Sequence, residues 1–439
     1  MSANDLRVAI VGAGPAGLYA AGHLLHQHDV TVNIDLIDRL PTPFGLVRAG
    51  VAPDHPEKKL VIDRLFDFYL DHPRVRFFGN VELGTDITHE DLDARYDAVI
   101  YAVGASDDVS LGIPGEDLPG SHSARDFVGW YNGHPDFRDL RFDLSGKRAV
   151  IIGNGNVALD VARILTLGPR NLSQTEIADH ALAALTRSAI EEVIILGRRG
   201  PEHAAFNNPE IEEFADLEGI DVEVEGVDFD GLSEQPVWNV RRKLKTLKQL
   251  AEAPSGLQEK RIILRFMTAP VAISGGAKVA GLKTITKTAS GEQANTIETG
   301  LVLRCVGYRG AAVLGLPFDD ARCTIPNEHG RVIDPNAASS GVYVTGWIKR
   351  GPKGVIGTNK KCALETVHCL LEDAKAGRLE RSAPEIEGLE ALLKQRKSDW
   401  VATDDWRRID MAERTNGADQ ERPRVKISSW NELLQMATS

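Results

Sequence analysis

The sequence predicts an α/β protein built from two Rossmann-like, three-layer domains, because one strand–glycine turn–helix pattern occurs in it twice. In the first copy, the apolar run Leu6–Val11 leads into GAGPAG at residues 12–17. In the second copy, the run Arg148–Ile152 leads into GNGNVA at residues 153–158. A helical stretch and a further apolar strand follow each glycine turn, so each copy is a complete β-α-β unit.

The other elements are predicted from short apolar runs and from apolar residues at helical spacing. In chain order they are a helix from Leu18 to about His26, a strand over Val32–Ile37, a helix over Glu57–Leu70, a strand over Asp97–Val103, helices over Leu159–Leu165 and about Thr175–Thr186, and strands over Glu192–Leu196, Arg261–Phe266, Leu301–Val306 and Gly341–Val344.

Each glycine of the first GxGxxG pattern has a steric task in binding a dinucleotide. Gly12 permits a tight turn out of the strand, Gly14 lets the backbone approach a pyrophosphate, and Gly17 lets helix and strand pack closely. The free N–H groups of the helix start then point at the phosphates. Asp38 ends the second strand, where a carboxylate accepts hydrogen bonds from an unmodified ribose but repels a 2′-phosphate. The first site is therefore predicted to hold FAD.

The second unit has no acid at the matching place. It offers Arg198 and Arg199 instead, two guanidinium groups that suit the dianion of a 2′-phosphate. Its third glycine position is Ala158, which such turns accept. The second site is therefore predicted to hold NADP(H), and both domains are predicted to be dinucleotide-binding domains. The alternative for the arginine pair is a solvated basic turn.

Composition excludes several other classes of protein. The net charge of −12 argues against nucleic acid and anionic membranes as general partners. Four cysteines without a CxxC pair disfavour a disulfide reductase and fit reduced thiols, so a cytoplasmic location is predicted. No apolar run reaches the roughly 18 residues that span a bilayer, and we expect no targeting peptide before the first strand. No metal site is evident.

Five motifs spread over nearly the whole chain are more specific than these patterns. They are GAGPAGLYAA at 12–21, LPTPFGLVRAGVAPDHPEKK at 40–59, GNGNVALDVARIL at 153–165, GRRGP at 197–201 and GWIKRGPKGVIGT at 346–358. With them the sequence resembles the adrenodoxin-reductase-like ferredoxin–NADP reductases of the glutathione-reductase type. The resemblance implies a discontinuous FAD domain, residues 1–106 and 331–439, with an NADP domain, residues 107–330, inserted into it.

The resemblance also implies which residues contact FAD. They are Gly12, Gly14, Pro15, Ala16 and Gly17 at the pyrophosphate, Asp38 and Arg39 after the second strand, Gly45, Leu46 and Val47 along the flavin, Val81 at the adenine, and Trp347, Gly354, Val355 and Ile356 over the isoalloxazine ring. Apart from its motif, Trp347 would be interpreted as a core aromatic residue.

For NADP(H), the residues implied by the resemblance lie in the second unit and in the late motif. They are Asn154, Gly155, Asn156 and Val157 at the pyrophosphate, Arg198 and Arg199 at the 2′-phosphate, Glu210 beside them, and Gly354 in contact with both nucleotides.

The resemblance places His55 near the flavin and close to an acid, here Glu213, and this pair is the predicted catalytic pair, for proton handling or positioning. The alternative is that His55, which lies between prolines, only fixes a turn. Asp160 occupies a family position on the second helix and could equally be a structural hydrogen-bonding residue.

A basic run, VRRKLKTLKQ at residues 240–249, stands out on an acidic protein. Such a patch would steer an acidic ferredoxin, and in the resembling proteins arginines of this region contact the ferredoxin. Docking is therefore predicted near Arg241, Arg242 and Lys245. The alternative is the solvated face of an amphipathic helix.

Taken with the resemblance, the sites imply an FAD-containing ferredoxin–NADP(+) oxidoreductase. Hydride would pass between NADPH and FAD, and single electrons would pass to or from an iron–sulfur ferredoxin. Three alternatives stay open: an NADPH diaphorase or quinone reductase, an electron-transfer subunit of a larger synthase, and an FAD-binding sensor.

Overall fold

The computed structural model describes residues 5–229, 237–334, 341–379 and 387–439. Its strands are β1 (Asp5–Val11), β2 (Thr31–Ile37), β3 (Val75–Phe78), β4 (Ala98–Tyr101), β5 (Asp107–Asp108), β6 (Ser121–Ser123), β7 (Arg148–Ile152), β8 (Glu192–Leu196), β9 (Ile220–Glu225), β10 (Lys260–Arg265), β11 (Thr268–Gly275), β12 (Val279–Thr288), β13 (Gly291–Glu298), β14 (Leu301–Arg304), β15 (Tyr308–Arg309), β16 (Asn327–Glu328), β17 (Arg331–Val332) and β18 (Val342–Val344).

The α-helices alternate with these strands along most of the chain. They are α1 (Pro15–Leu25), α2 (Leu46–Ala49), α3 (Pro56–Lys59), α4 (Asp67–Leu70), α5 (His89–Asp93), α6 (Ala124–Tyr131), α7 (Asn156–Thr166), α8 (Pro169–Leu172), α9 (Asp179–Leu185), α10 (Asn208–Glu212), α11 (Trp238–Glu252), α12 (Trp347–Arg350), α13 (Thr358–Lys375), α14 (Leu389–Arg396), α15 (Thr403–Ala418) and α16 (Trp430–Thr438).

The first sheet has the strand order β16-β17-β18-β4-β1-β2-β3. The strands from β18 to β3 are parallel, and the short β16–β17 hairpin closes one edge. Its middle strands are almost wholly apolar because both faces are covered, with α1 packed against α13 on one of them. Since β18 lies beside β4, this domain is completed only by the late part of the chain.

The second sheet has the order β6-β14-β7-β8-β10-β9 and is parallel throughout. Helix α7 packs on one face, and the antiparallel sheet β11-β12-β13 covers the other through a small apolar core that includes Ile273, Val279 and Leu282. The chain enters this domain next to β5 and leaves it next to β15, and these two short strands pair with each other.

The predicted α/β class, with two Rossmann-like domains of parallel strands, is confirmed, and most element bounds agree to within a few residues. The helix predicted over Glu57–Leu70 is wrong as one element, because it divides into α3, a wider π-helical turn over Ile62–Phe66, and α4. Two of the apolar residues that suggested a single buried face, Leu60 and Phe68, are exposed. The helix predicted at about Thr175–Thr186 is shorter, because α9 covers only Asp179–Leu185.

Sequence analysis missed the outer sheet, the antiparallel sheet β11-β12-β13. The reason is visible in β13, whose residues are exposed except for Ile297, so that its composition resembles a polar loop. The outer sheet holds the loop before β6 in place, because the Ile273 amide donates to the Pro114 carbonyl at 2.8 Å and the Val279 amide donates to the Pro119 carbonyl at 2.9 Å.

Between α15 and α16 the chain runs without helix or strand through a segment here called the C-terminal strap, residues 421–429. Arg422 of the strap donates to Asp179 of the predicted NADP domain at 2.6 Å, while the Lys426 ammonium lies 2.9 Å from the Arg48 carbonyl of the predicted FAD domain. The strap therefore contacts both domains. The predicted bounds, 1–106 with 331–439 and 107–330, stay a prediction.

Two glycines of the loop under the outer sheet offer a test of this packing. Gly115 and Gly112 both have positive φ, at +80° and +68°. A Cβ on Gly115 would lie 2.0 Å from the Ile273 carbonyl oxygen, whereas nothing lies within 4 Å of a Cβ on Gly112. Because only the first must displace backbone, we expect Gly115→Ala to cost about 1–3 kcal/mol more stability than Gly112→Ala in thermal unfolding. Equal losses would show that the outer sheet does not constrain this loop.

Candidate functional site

The first glycine turn has the close contacts that a phosphate-binding turn requires. Gly12 has φ +109°, and a Cβ there would lie 2.4 Å from the Ala102 carbonyl oxygen; a Cβ on Gly17 would lie 2.0 Å from the Gly12 carbonyl oxygen. Pro15 is the first residue of α1, and no side chain caps the helix at Gly14. The N–H groups of the first turn are thus left for an anion.

Asp38 lies directly beside this turn. Its carboxylate accepts from the amide of Ala13 at 2.7 Å and from the amide of Leu40 at 2.9 Å. Burial raises the pKa of Asp38, and these two backbone hydrogen bonds oppose that rise. Val81 is buried next to Asp38, because its amide donates to the Asp38 carbonyl at 3.0 Å. The predicted ribose and adenine residues are therefore neighbours.

The segment of the PFGL motif packs on the first glycine turn. Gly45 has φ +47°, and a Cβ on it would lie 3.0 Å from the Cα of Gly14, so the two backbones almost touch. Leu46 is partly exposed and Val47 is buried. Arg39 is engaged elsewhere: its guanidinium lies 2.5 Å from Asp136 and stacks over the Trp430 ring.

The late motif approaches the same turn from the other side. A Cβ on Gly346 would lie 2.6 Å from the Cβ of Ala16. The indole Nε1 of Trp347 is buried and has no hydrogen-bond partner among the described residues, and its ring lies 5.6 Å from that of Tyr308. Trp347 is thus packed where the two domains join.

The residues after Trp347 form a tight loop that leads into α13. Gly354 has φ +88°, Val355 is exposed with its amide donating to the Thr358 hydroxyl at 3.1 Å, and Ile356 packs against the core of the first domain. The structure thus brings the start of the late motif, at Gly346, to the first glycine turn and packs Ile356 against the core of the same domain.

The second glycine turn repeats the geometry of the first. Gly153 has φ +115°, and a Cβ there would lie 2.1 Å from the Cys305 carbonyl oxygen. The space around Gly155 is open, and no side chain caps α7, which begins at Asn156. Asn154 and Asn156 tie the turn to the loop after β8, since Asn156 Oδ1 accepts from the Asn207 amide at 2.8 Å and the Asn154 carbonyl accepts from the amides of residues 205 and 206.

Arg198 and Arg199 follow β8 and are both exposed. In the part of the chain that the structure describes, no carboxylate pairs with either of them. Two unpaired guanidinium groups next to a phosphate-binding turn are suited to a further phosphate.

The two domains meet at His55, which is buried. Its Nε2 lies 2.9 Å from Oε2 of Glu213, as the predicted pair requires. Its Nδ1 lies 2.6 Å from the Lys58 ammonium and 4.0 Å from Asp160. Lys58 in turn lies 2.7 Å from Glu210. His55 and Lys58 belong to the first domain, whereas Asp160, Glu210 and Glu213 belong to the second, so this junction cluster spans the domain boundary.

Arg163 is the central cation of the junction cluster. Its Nε lies 2.8 Å from Asp54 and its Nη2 lies 2.8 Å from Asp160. Burial would raise the pKa of Asp54, but the hydrogen bond and charge of Arg163 outweigh it, so the pKa of Asp54 is lowered. Burial dominates at Asp160 and raises its pKa despite Arg163. Asp54 is therefore firmly charged, whereas Asp160 takes up a proton more readily.

Sequence analysis missed Asp54, Lys58 and Arg163. Two of them carried a signal, because Lys58 follows His55 by three residues and Arg163 follows Asp160 by three, which is the spacing of one helical turn. His55, Asp160 and Glu210 also offer ligand atoms within 4.8 Å of one another, the spacing of a metal site. The cations of Lys58 and Arg163 already lie against these atoms and would repel a metal ion. The prediction that no metal is bound stays a prediction.

The predicted docking run lies on α11, which packs against α10 and β9. Arg241 and Lys245 are exposed and, among the described residues, have no carboxylate partner. Arg242 is held by Glu212 through two contacts of 2.6 Å. Lys243 turns inward to the Ala204 carbonyl, and burial lowers its pKa. Only part of the basic run is thus free to meet a partner.

The residues present fit two dinucleotides. Both glycine turns lead into helices of eleven residues whose first N–H groups no side chain caps, and only the second turn is accompanied by unpaired arginines. Asp38 would meet a free ribose at the first turn, and Arg198 with Arg199 would meet a 2′-phosphate at the second. An FAD domain with an inserted NADP domain defines the protein as a two-domain flavin- and pyridine-nucleotide-dependent oxidoreductase.

Comparison with known proteins agrees with this class. The family model described as pyridine nucleotide-disulphide oxidoreductase matches residues 6–215. The NADPH-ferredoxin reductase FprA of Mycobacterium tuberculosis is 46% identical, over 98% of both chains. The mitochondrial NADPH:adrenodoxin oxidoreductase of Arabidopsis thaliana is 39% identical, over 100% of this chain and 96% of its own. The solved structure of M. tuberculosis FprA in complex with NADPH superimposes with a TM-score of 0.91 and 43% identity, covering 99% of this chain and all of that one.

The chain therefore belongs to the family of NADPH–ferredoxin reductases that includes FprA and the adrenodoxin reductases. The predicted cofactors, FAD and NADP(H), are those of this family. In the described ranges, no helix is both long enough and apolar enough to cross a membrane.

The arginine pair offers the first test of the site. Replacing Arg198 and Arg199 with Ala removes two charge-assisted contacts, so we expect NADPH binding to weaken by about 2–5 kcal/mol and NADH binding to change much less. Titration of the oxidised protein with each nucleotide measures both. Arg187→Ala is a matched control, because Arg187 is exposed on the same domain. Equal losses for the two nucleotides would show that the pair does not read the 2′-phosphate.

The hydrogen bond between His55 and Glu213 offers the second test. If the pair positions the nicotinamide or handles a proton, His55→Ala and Glu213→Gln should each slow flavin reduction by NADPH, by about tenfold to a hundredfold. FAD content should not change. Because the two side chains act through one contact, the double variant should lose less than the product of the single losses. Reduction rates equal to those of the unaltered protein in stopped-flow experiments would leave His55 with a purely structural role.

Proposed function

We propose that this chain transfers electrons between NADPH and an acidic ferredoxin through FAD, with the nucleotides bound by the residues assigned above. The observation that carries the proposal is the contact of 2.9 Å between His55 and Glu213. It joins the domain of the FAD turn to the domain of the NADP turn through the buried ring of His55. Two nucleotides on opposite sides of that point would meet there.

The chain's own residues bind, orient and exclude water. Bound FAD would take a hydride from NADPH and release electrons singly to an iron–sulfur centre, which supplies the redox chemistry. Gly14 and Gly45 bring the backbone close to the flavin side of the first turn. Trp347, whose ring packs near that of Tyr308 where the two domains join, would exclude water there, so that the two rings would react in a dry, fixed arrangement.

The junction cluster supplies the polar side of this arrangement. His55 is held from two sides, by Glu213 at Nε2 and by Lys58 at Nδ1. Asp160, whose pKa is raised by burial, lies 4.0 Å from the same ring. We assign to His55 the orientation of the nicotinamide and the handling of a proton at Nδ1 or Nε2.

The docking surface for ferredoxin is Arg241 and Lys245 on α11. They are four positions apart in the sequence, about one helical turn, and so lie on one face of the helix. Arg242 contributes less than the sequence predicted, because Glu212 neutralises it. Glu212 lies next to Glu213 in the chain, so the arginine also ties α11 to the element that contacts His55. A partner on this face would lie near the junction cluster.

Two further assignments, the domain bounds and the location in the cell, complete the proposal. The domain bounds are those predicted from the sequence, with the NADP domain between residues 107 and 330. A cytoplasmic location is supported by the four cysteines, all of which are free.

Charge reversal tests the docking surface. Arg241→Glu with Lys245→Glu should raise the apparent KM for ferredoxin by about tenfold at low salt, because two attractive charges become repulsive. The difference should shrink as salt rises and screens the encounter. Reduction of ferricyanide, which needs no docking surface, and reduction of the flavin by NADPH should not change.

The matched control reverses two exposed lysines with the same spacing on the outer sheet, Lys283→Glu with Lys287→Glu. It should leave the KM for ferredoxin unchanged. If ferredoxin and ferricyanide reduction fall together, the fold or the nucleotide site is damaged rather than the docking surface. If neither falls, the basic run is only a solvated face of α11 and ferredoxin docks elsewhere. Turnover of the unaltered protein with quinones as fast as with ferredoxin would instead favour the diaphorase alternative.

A further inference from the structure

The C-terminal strap turns every second side chain from Arg422 to Ser428 toward the interior. Arg422, Lys426 and Ser428 are buried, and Arg424 is nearly so, while residues 421 and 423 are exposed. Three cations therefore point in one direction, toward the line where the two domains meet. Lys426, whose side chain is only 1% exposed, is the deepest of them.

Lys426 contacts both domains through one ammonium group. It lies 2.9 Å from the carbonyl oxygen of Arg48, which directly follows Gly45–Val47, the segment assigned to the flavin. It also lies 2.8 Å from the carboxylate of Glu176 and 3.4 Å from the amide oxygen of Asn132, both in the inserted domain. The Lys426 side chain thus ties the backbone next to the flavin segment to the inserted domain.

The same segment is fixed a second time through the side chain of Arg48. Its guanidinium lies 2.5 and 2.8 Å from the two oxygens of Glu413 on α15, a carboxylate that is fully buried. It also stacks over the Trp406 ring, at 5.3 Å from the centroid. Lys426 therefore holds the backbone carbonyl of Arg48, and Glu413 holds its side chain. Of these two partners, Lys426 is the one that also contacts the inserted domain.

Charged groups surround Lys426 on every side. Glu176 faces Lys426 from the loop before α9, Lys59 faces it from α3, and Arg48 faces it from α2. Arg424, which belongs to the strap itself, bridges the carboxylates of Glu176, Asp410 and Glu413. Burial lowers the pKa of Lys426 to about 7, although Glu176 opposes this. Its charge is present below that pH and is lost as the pH rises through it. The contact with Glu176 then loses its ionic part.

We propose that Lys426, with Glu176 as its partner, is a positioning residue that acts through the Arg48 carbonyl to hold the flavin segment Gly45–Val47 against the inserted domain, and so sets the spacing between flavin and nicotinamide. The inference rests on the proposed function for its effect on rate. Its structural part does not depend on that function, because the contacts of Lys426 to Arg48, Asn132 and Glu176 exist without either nucleotide.

The test compares Lys426→Met, which keeps length but removes charge, with Glu176→Gln. Both should raise amide exchange of residues 46–51 and 131–134, followed by mass spectrometry of the FAD-loaded protein. Both should also slow flavin reduction by NADPH about tenfold to a hundredfold, since a misplacement of about 1 Å is costly in hydride transfer. FAD content and the Kd for NADPH should stay unchanged, because neither residue touches a glycine turn or the arginine pair.

Arg414→Met is the matched control. Arg414 is a cation of the same region, but its ion-pair partners among the described residues are Asp63 and Asp410, neither of which lies in the inserted domain. It should change neither the exchange of residues 46–51 nor the reduction rate. In the unaltered protein, the protection of residues 46–51, corrected for the intrinsic pH dependence of amide exchange, should fall and reduction should slow between pH 6 and pH 9. Lys426→Arg, which stays charged, should flatten both profiles.

Exchange and reduction rates of Lys426→Met and Glu176→Gln equal to those of Arg414→Met would overturn the proposal. So would a loss of FAD or of NADPH affinity that accounts for the whole change in rate. If Lys426→Met fails to fold, Glu176→Gln and the pH profiles decide. If the unaltered protein does not reduce its flavin with NADPH, the proposed function fails, whereas the exchange of residues 46–51 still reports on the strap.

Discussion

A buried guanidinium at the domain boundary is the constraint on which the site depends. Arg163 lies on α7, directly after the second glycine turn, and reaches Asp54 of the other domain at 2.8 Å. A buried cation without partners is very costly, so the two domains must bring their carboxylates to it. Because Asp54 directly precedes His55 in the chain, the contact of Asp54 with Arg163 also fixes the position of the histidine. The contacts of His55 to Glu213 and Lys58 follow from that placement.

The two dinucleotide turns were predictable from the sequence because local sterics determine them. Gly12, Gly17 and Gly153 all show the backbone approaches or positive φ that exclude a side chain. Asp38 and the arginine pair were predictable for a related reason, since each ends a strand whose neighbour carries the glycine turn. A parallel sheet brings such residues to one edge whatever the rest of the chain does.

Other parts of the site could not be predicted, because they depend on pairs that are far apart in the sequence. A run of basic residues does not reveal that Glu212 neutralises Arg242 or that Lys243 turns inward. Likewise, nothing in the local sequence of Lys426 indicates a partner such as Glu176, 250 residues earlier. The outer sheet was missed for the opposite reason, because its strands expose polar residues and carry little apolar signal. The pairing of His55 with Glu213 was predicted from the family resemblance and not from the spacing of the two residues in the sequence.

The interrupted first sheet has a consequence for how the protein is made. Strand β18 lies beside β4 in space but follows the whole second sheet in the chain. On a ribosome, the inserted domain is synthesised while the first sheet still lacks β18 and the helix α13 that packs on α1. Domains fold as units during synthesis, so the inserted domain is the first to be able to fold. The first glycine turn therefore waits until β18 and α13 have been synthesised before a flavin can be enclosed.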